Sequence, residues 1–226
     1  MPAFDLHMHS HHSIDSAMNP CDIVKVAKRK GLNGIAVTDH NTIRGGLEVA
    51  KHVESRFYVI VGSEIKTEAC EIIGLFLNEE VKQADPLEVI DAIKNQGGLT
   101  ILPHPYRMNL IFHESSKTAP IEVAEKVDAI EVYNARTPAS LNKKALLLAT
   151  RLNKPMVAGS DAHFYPEMGN AKTILPPLND EEELRKAILK GETAIQKGSY
   201  VFVRAIPFYC LGFFYGRARK ILRGIR

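Results

Sequence analysis

The first fifteen residues contain a short apolar run that carries two histidines with one residue between them. The run reads Ala3-Phe4-Asp5-Leu6-His7-Met8-His9. Side chains two positions apart in a β-strand share a face, so His7 and His9 are expected to point the same way. Two imidazoles at that spacing form half of a metal site, and Asp15, just past the strand, can add a carboxylate oxygen from a loop. The pattern therefore predicts a metal site at the end of the first strand.

Four further strand-like runs also end in a histidine or an acidic residue. In chain order these endings are Thr38-Asp39-His40-Asn41, Gly62-Ser63-Glu64, Pro103-His104-Pro105 and Gly159-Ser160-Asp161-Ala162-His163. A parallel β/α barrel builds its site in this way, from the carboxyl ends of many strands. We therefore expect an α/β barrel whose metal ligands come from segments far apart in the sequence.

Strand-like and helical segments alternate along most of the chain, with one interruption. The segment between the expected strands at 57–62 and 71–77 is too short for a crossover helix. These two strands are therefore expected to pair as a hairpin or to form an irregular insertion. A helix is expected from Asn41 to about His52, and the acidic residues that follow Asp180 predict the start of another.

Composition fits one soluble barrel domain of ordinary type, which we place at residues 1–198. The 226 residues are 45% hydrophobic and 24% charged. Three widely spaced cysteines argue against a disulfide framework and against a thiolate metal site. No charged leader with an apolar core precedes the first strand, so a cytoplasmic location is expected.

Residues 199–226 differ in character and are expected to form a tail rather than a domain. An apolar stretch is followed by basic residues, giving six basic residues and no acidic one. Arg204 and Pro207 interrupt the apolar part, which is too short for a membrane span of about 20 residues. The tail is expected either to cover the bottom of the barrel or to lie on an anionic membrane surface or a partner protein.

In their order along the chain, the five motifs resemble those of the PHP family, the polymerase and histidinol phosphatase domain. They are His7-Met8-His9, Thr38-Asp39-His40, Gly62-Ser63-Glu64, His104-Pro105 and Asp161-Ala162-His163, and the resemblance covers roughly residues 3–195. It implies a distorted seven-stranded β/α barrel of TIM-like form that holds two or three divalent metal ions and hydrolyses phosphate esters. The spacing from the first motif to Asp15 is similar to that in small stand-alone members that resemble nucleotide phosphoesterases.

The resemblance also implies roles for individual residues. His7, His9, Glu64 and Asp161 resemble the ligands of a first ion, Glu64 and His104 those of a second, and Asp15, His40 and His163 those of a third. Among them, Glu64, Asp161 and His163 are expected to be catalytic. Glu71 stands where family members with three ions usually carry a histidine. It is expected either to join the second ion or to point away and leave that place empty, and we favour the first.

A donor set of imidazoles and carboxylates without thiolate suits Zn, Mn or Fe, and the sequence does not choose among them. Such ions lower the pKa of bound water to about 7 and supply a hydroxide nucleophile. Glu64 is the natural bridge between ions, since its carboxylate has two oxygens to share. Asp39 and Asn41 are expected to orient histidine ligands, which commonly donate their second N–H to a nearby acceptor.

Phosphate recognition requires donors beyond the metal ions. Arg107 and Arg136 follow strands that end at the site, and a guanidinium matches phosphate oxygens. The alternative for each is a solvated surface arginine. His11 and His12 are either proton donors to the leaving oxygen or exposed loop residues, and residues 107–120 are expected to form a loop beside the site.

The sequence thus favours a metal-dependent phosphoesterase acting on a small phosphorylated metabolite or nucleotide. A PHP-type exonuclease is the alternative among enzymes. Residues 1–192 are net acidic and show no basic aromatic groove, which argues against nucleic acid as a partner. A metal-binding regulatory domain that has lost catalysis is a third interpretation, which the departure at Glu71 keeps open.

Overall fold

The computed structural model describes residues 1–53, 56–107 and 121–198, where strands and helices alternate. The strands are β1 (Ala3–Met8), β2 (Gly34–His40), β3 (Tyr58–Lys66), β4 (Glu71–Leu75), β5 (Leu99–Leu102), β6 (Ala129–Asn134), β7 (Met156–Gly159), β8 (Ala171–Ile174) and β9 (Ala194–Lys197). The helices are α1 (Pro20–Arg29), α2 (Arg44–Ala50), α3 (Pro86–Asn95), α4 (Ile121–Lys126), α5 (Ala139–Arg151) and α6 (Glu181–Leu189), with a 3-10 turn at Tyr165–Glu167.

Two predicted segments fall outside the described residues. They are most of the expected loop at 107–120 and the whole tail at 199–226. The boundary between barrel and tail therefore stays a prediction. Within the described ranges, no helix has both the length and the apolar character that crossing a membrane requires.

Strands β1 to β7 follow one another in the sheet and form a nearly closed barrel. The seam lies between β1 and the chain just past β7. There the backbone N–H of Asp161 donates to the carbonyl of His7 at 2.7 Å, and the N–H of His9 donates to the carbonyl of Ala162 at 2.8 Å. Gly159 permits this approach, since a methyl group there would lie 2.3 Å from Cβ of His7. The predicted seven-stranded barrel is confirmed, although the sheet contains two further strands.

The two additional strands, β8 and β9, extend the sheet from β1. Strand β8 pairs antiparallel with β1 through Ala3 and Phe4, and β9 pairs antiparallel with β8. Thr173 of β8 also bonds the backbone N–H and carbonyl of Ala158, at 2.8 and 2.9 Å, and so joins β8 to β7. Strand β8 alternates buried and partly exposed residues and β9 is largely exposed, so neither has the buried apolar run of β5 and β7, which are equally short.

Strands β3 and β4 form the predicted hairpin. They pair antiparallel from Gly62 with Leu75 to Lys66 with Glu71, and β4 pairs antiparallel with β5 as well. Strand β3 is longer than expected, so Glu64 lies inside it rather than beyond its end. Because β4 runs against its neighbours, its first residue, Glu71, lies at the edge where the parallel strands end.

One hydrophobic cluster takes residues from each of the seven barrel strands and from α6. Its members include Phe4, Leu6, Ala36, Ile60, Ile73, Leu75, Ile101, Ala129, Val157, Leu184 and Ile188. Most of the parallel-strand members precede the predicted ligands along their strands, so the cluster fills the barrel below the metal ligands. Helix α6 covers that end, and its first turn is capped by Asp180, whose side chain accepts the N–H of Glu183 at 2.8 Å.

Helix α2 is shorter than the predicted Asn41–His52 segment and begins at Arg44. Asn41 is held at φ 56°, in the left-handed region, so it does not take part in the helix. The start of α2 packs closely against Asp39, because a methyl group at Gly45 would lie 1.8 Å from a carboxylate oxygen of Asp39. The helix thereby fixes the end of β2.

Candidate metal centre

Four predicted ligands, His7, His9, Glu64 and Asp161, converge above the barrel core and form what we call the inner set. The Nε2 atoms of His7 and His9 are 3.2 Å apart. Oδ1 of Asp161 lies 3.7 Å from Nε2 of His7 and 3.3 Å from Nε2 of His9. The two oxygens of Glu64 lie 3.4 Å from His7 and 3.5 Å from His9. Ligand atoms around a tetrahedral zinc ion are about 3.3–3.4 Å apart, so the inner set fits a divalent ion.

Asp15, His40 and His163 form the outer set, which faces the inner set across the ring of His9. Oδ2 of Asp15 is 3.4 Å from Nε2 of His40 and 3.2 Å from Nε2 of His163. Within the described residues, Oδ1 of Asp15 is buried and has no hydrogen-bond partner. A buried carboxylate oxygen without a partner is costly, and a cation held by these three residues would supply one.

Glu64, His104 and Glu71 form a third group, the Glu71 set. Nε2 of His104 is 3.0 Å from Oε1 of Glu64 and 3.8 Å from Oε2 of Glu71. The side chain of Glu71 is 33% exposed. A carboxylate oxygen of Glu71 lies within 4.8 Å of a ring nitrogen of His40 and a carboxylate oxygen of Glu64. The structure therefore brings Glu71 to the cluster rather than turning it away. Whether it binds an ion stays a prediction.

Glu64 connects the three groups because its two oxygens face different partners. Oε1 lies near His7 and His104, whereas Oε2 lies near His9 and, at 3.0 Å, near Nδ1 of His40. A carboxylate in this position can share its oxygens between neighbouring ions. Whether Glu64 bridges ions stays a prediction.

Each histidine of the inner set has a second partner that fixes its ring. Nδ1 of His7 lies 3.1 Å from Oε1 of Glu131, which is buried, and Oε2 of Glu131 accepts the N–H of His104 at 2.9 Å. Nδ1 of His9 lies 3.1 Å from Oγ of Ser13, and that hydroxyl donates to Asp39 at 2.7 Å. With these partners at Nδ1, both rings keep Nε2 available to a metal ion.

Asp39 and Asn41 were both expected to orient histidine ligands, but the structure gives them different partners. Asp39 acts on His9 only through Ser13, and it also accepts the N–H and hydroxyl of Ser10 at 2.7 and 2.6 Å. Asn41 instead accepts the backbone N–H of Lys66 at 2.8 Å. The expectation for Asn41 is therefore wrong, because its left-handed backbone directs the side chain to β3.

The two arginines take different positions. Arg107 forms an ion pair with Oδ2 of Asp161, and its side chain is 26% exposed. Arg136 is buried, with its guanidinium 3.9 Å from carboxylate oxygens of both Asp161 and Glu167, and it contacts the ring of His163. The solvated-surface alternative is therefore wrong for Arg136, whose described contacts are with protein groups. Its predicted contact with phosphate remains a prediction.

Burial and neighbouring charges shift the pKa values of the ligands in opposite directions. Burial and the neighbouring His163 and His40 lower the pKa of His9 to about 3, so its ring is neutral at pH 7 and able to bind an ion. Burial opposes the charged form of Glu64, but the charge of His7 and the hydrogen bond with His104 hold the pKa of Glu64 well below its usual value. Burial and the charge of Glu64 raise the pKa of Glu71.

The backbone is strained at two of the predicted ligands. Asp161 has φ 56° and His104 has φ 25°, both in a region that residues other than glycine seldom adopt. Such conformations typically cost about 1–3 kcal/mol each and persist where the surroundings impose them. At Asp161 the imposing contact is its N–H bond to His7, which also closes the barrel.

Several residues that contact the predicted ligands were not found from the sequence. Glu131 orients His7, Ser13 orients His9, and Glu167 accepts the N–H of His163 at 2.8 Å. Asp5 is buried and accepts the N–H groups of Ser160 and Gly169, each at 2.8 Å, while burial raises its pKa to about 6. Asp5 and Glu131 could have been recognised from the sequence, since an isolated acidic residue inside an apolar strand indicates a buried carboxylate with a specific partner.

Two of the described histidines, His12 and His52, lie away from these sets. His12 is partly buried and its Nε2 is 2.7 Å from Oε2 of Glu48 on α2. His52 is exposed, and its Nε2 lies 3.4 Å from Sγ of Cys21. Neither residue contacts the inner set.

Two family models together match most of the chain. The model of the PHP domain matches residues 5–142, and a model described as PHP-associated matches residues 139–193. Two uncharacterised proteins of Methanocaldococcus jannaschii are similar in sequence. One is 51% identical over 115 residues, which is 45% of this chain and 67% of that protein. The other is 34% identical over 186 residues, which is 79% of this chain and 72% of that protein.

A solved structure shows the same fold. It is a two-domain protein from Bacteroides vulgatus that contains a predicted PHP-like metal-dependent phosphoesterase. The superposition has a TM-score of 0.73 at 23% sequence identity, and it covers 92% of this chain and 69% of the other. At this identity the likeness extends to the fold alone.

Proposed function

Because the chain belongs to the PHP domain family, we propose that it is a metal-dependent phosphoric ester hydrolase acting on a small phosphorylated metabolite or nucleotide. The observation that carries the proposal is the position of Glu64. Its two oxygens face the inner set, the outer set and His104 at distances of 3.0–3.5 Å. A carboxylate shared in this way serves adjacent ions, and adjacent divalent ions suit phosphate-ester cleavage.

The proposal assigns the ions to the three groups. The inner set would hold the first ion. Glu64 and His104, with Glu71 in place of a histidine, would hold the second, and the outer set would hold the third with Asp15 as its carboxylate ligand. When bound, the ions supply Lewis acidity, lowering the pKa of water to about 7 and stabilising negative charge. The donor chemistry admits Zn, Mn or Fe.

The chain's own residues position the reacting groups. Glu131 and Ser13 hold the rings of His7 and His9, and Arg136 holds the loop that carries Asp161 and His163. Arg107 is partly exposed beside Asp161 and offers a guanidinium at the mouth of the centre. We assign it to the phosphate oxygens of the substrate, since its planar fork suits them. Glu64, Asp161 and His163 are the proposed catalytic residues.

A substrate screen tests the proposal. Protein reconstituted with Zn²⁺, Mn²⁺ or Fe²⁺ is incubated with phosphomonoesters, small phosphodiesters and a single-stranded oligonucleotide, and released phosphate or mononucleotide is measured. Hydrolysis of small esters that is lost in Asp161→Ala supports the proposal. Preference for the oligonucleotide would favour the exonuclease alternative. No hydrolysis of any substrate by fully metallated protein would favour the regulatory interpretation.

A further inference from the structure

Among the described residues, one group of three potential metal ligands lies outside the centre. It consists of His11, His12 and Glu48, which we call the loop set. The two histidines lie on the loop after β1, and Glu48 lies on α2. Each offers one donor atom, and these atoms all lie within 4.8 Å of one another.

The loop set is held in place by contacts of its own. Nε2 of His12 is 2.7 Å from Oε2 of Glu48, and the rings of His11 and His12 have centroids 4.8 Å apart. The backbone N–H of His11 donates to the carbonyl of Met18 at 2.7 Å, and that of His12 donates to Oγ of Ser10 at 3.2 Å. The side chains of His12 and Glu48 are 25% and 36% exposed, so the set is open to solvent.

The charge of Glu48 suits a cation. The hydrogen bond with His12 lowers the pKa of Glu48, and the charges of His12, His11 and His52 lower it further. The carboxylate is therefore ionised throughout the neutral pH range. Two neighbouring imidazoles beside an ionised carboxylate can be bridged to it by a proton, or all three groups can bind the same metal cation.

We propose that His11, His12 and Glu48 bind one divalent transition-metal ion of the zinc class, separately from the metal centre. Two imidazoles and one carboxylate are a common ligand set for zinc, with a fourth position left for water. The ion would replace the proton between His12 and Glu48. Their 2.7 Å separation would then widen to the roughly 3.3 Å between ligands of one tetrahedral ion.

The position of the loop set gives such an ion a structural role. The same loop carries Ser13, which bonds His9, and Asp15, which belongs to the outer set. An ion shared by His11, His12 and Glu48 ties this loop to α2. It therefore stabilises the loop that supplies Asp15, without touching the inner set.

Calorimetry with Zn²⁺ on the full chain tests the proposal. The protein is first dialysed against Zn²⁺ buffered at a free concentration that saturates the centre, and more Zn²⁺ is then titrated in. Wild-type protein is expected to bind one additional ion per chain. His12→Gln and Glu48→Gln are each expected to weaken that binding at least about tenfold, because each removes a ligand. Elemental analysis before the titration should find the same number of ions in all three proteins.

His52→Gln is the matched control, since it removes an exposed imidazole near Glu48 that is not part of the loop set. It is expected to keep the additional ion. The proposal is overturned if wild-type protein binds no additional ion, if both loop-set variants bind it as tightly as wild type, or if His52→Gln loses it equally. Should His12→Gln fail to fold by circular dichroism, His11→Gln carries the same expectation.

Discussion

The inner and outer sets offer the same kinds of ligand in different surroundings. His7, His9 and Asp161 are at most 1% exposed, and both histidines have a fixed partner at Nδ1. In the outer set the side chains of Asp15 and His40 are 40% and 29% exposed, and Asp15 lies on a loop. Burial strengthens electrostatic attraction and preorganisation reduces the entropy lost on binding. The inner set should therefore hold its ion more tightly than the outer set.

Removing an inner ligand should have the largest effect. We expect wild-type protein to contain at least two first-row divalent ions per chain. His7→Ala or Asp161→Ala should lose at least one of them and lower hydrolysis by about a hundredfold or more, because the ion supplies the chemistry. Elemental analysis and a phosphate-release assay on the same preparations measure this. Activity retained with metal content near zero would contradict both the site and the proposed function, whereas His52→Ala should leave both unchanged.

A smaller effect is expected from loosening the inner set without removing a ligand. Glu131→Gln keeps the shape of the side chain but removes the charge that faces Nδ1 of His7. We expect the affinity of the inner ion to fall about 10–100-fold. Competition with a chelator, followed by elemental analysis, measures the loss. Asp15→Asn should show the opposite pattern, because the ion of the outer set should be lost while the inner ion is kept. Equal loss of the same ion in the two variants would contradict the distinction between the two sets.

Arg107 tests whether the rim of the centre binds substrate rather than metal. Arg107→Ala should raise the KM for a phosphate ester by the equivalent of about 1.5–3 kcal/mol, the usual contribution of a charge-assisted hydrogen bond. The metal content should not fall, because Arg107 contacts Asp161 without belonging to the donor set. Arg107→Lys keeps the charge but not the planar fork, so its KM should lie between those of wild type and Arg107→Ala. Unchanged kinetics in Arg107→Ala would exclude it from the substrate site.

The smallest expected effect concerns Glu71. Glu71→Gln should lower activity about tenfold or more, because the amide cannot replace a carboxylate beside Glu64 and His104. The inner ion should remain, since His7, His9 and Asp161 keep their ligand atoms and Glu64 is unchanged. Full activity in this variant would show that Glu71 only borders the site, and loss of the inner ion would show that the sets are not separable.

Much of the barrel and most of the candidate ligands could be predicted because their signals are local. His7 and His9 share one strand, and each later motif directly follows an apolar run. The residues that orient these ligands could not be found in the same way. Glu131 contacts His7 across 124 positions of sequence, and only the closed ring of strands brings them together. The error at Asn41 has a local cause, since one left-handed residue redirected its side chain and shortened α2.

If the inner set holds an ion, the seam between β1 and the chain after β7 should link metal release to local unfolding. The amides of His9 and Asp161 belong to inner ligands and also make the two bonds that close the ring. Opening the ring there pulls these ligands apart, and an ion held between them resists the opening. Hydrogen–deuterium exchange at these two amides should therefore slow sharply when the centre is loaded, which makes the seam a direct reporter of occupancy.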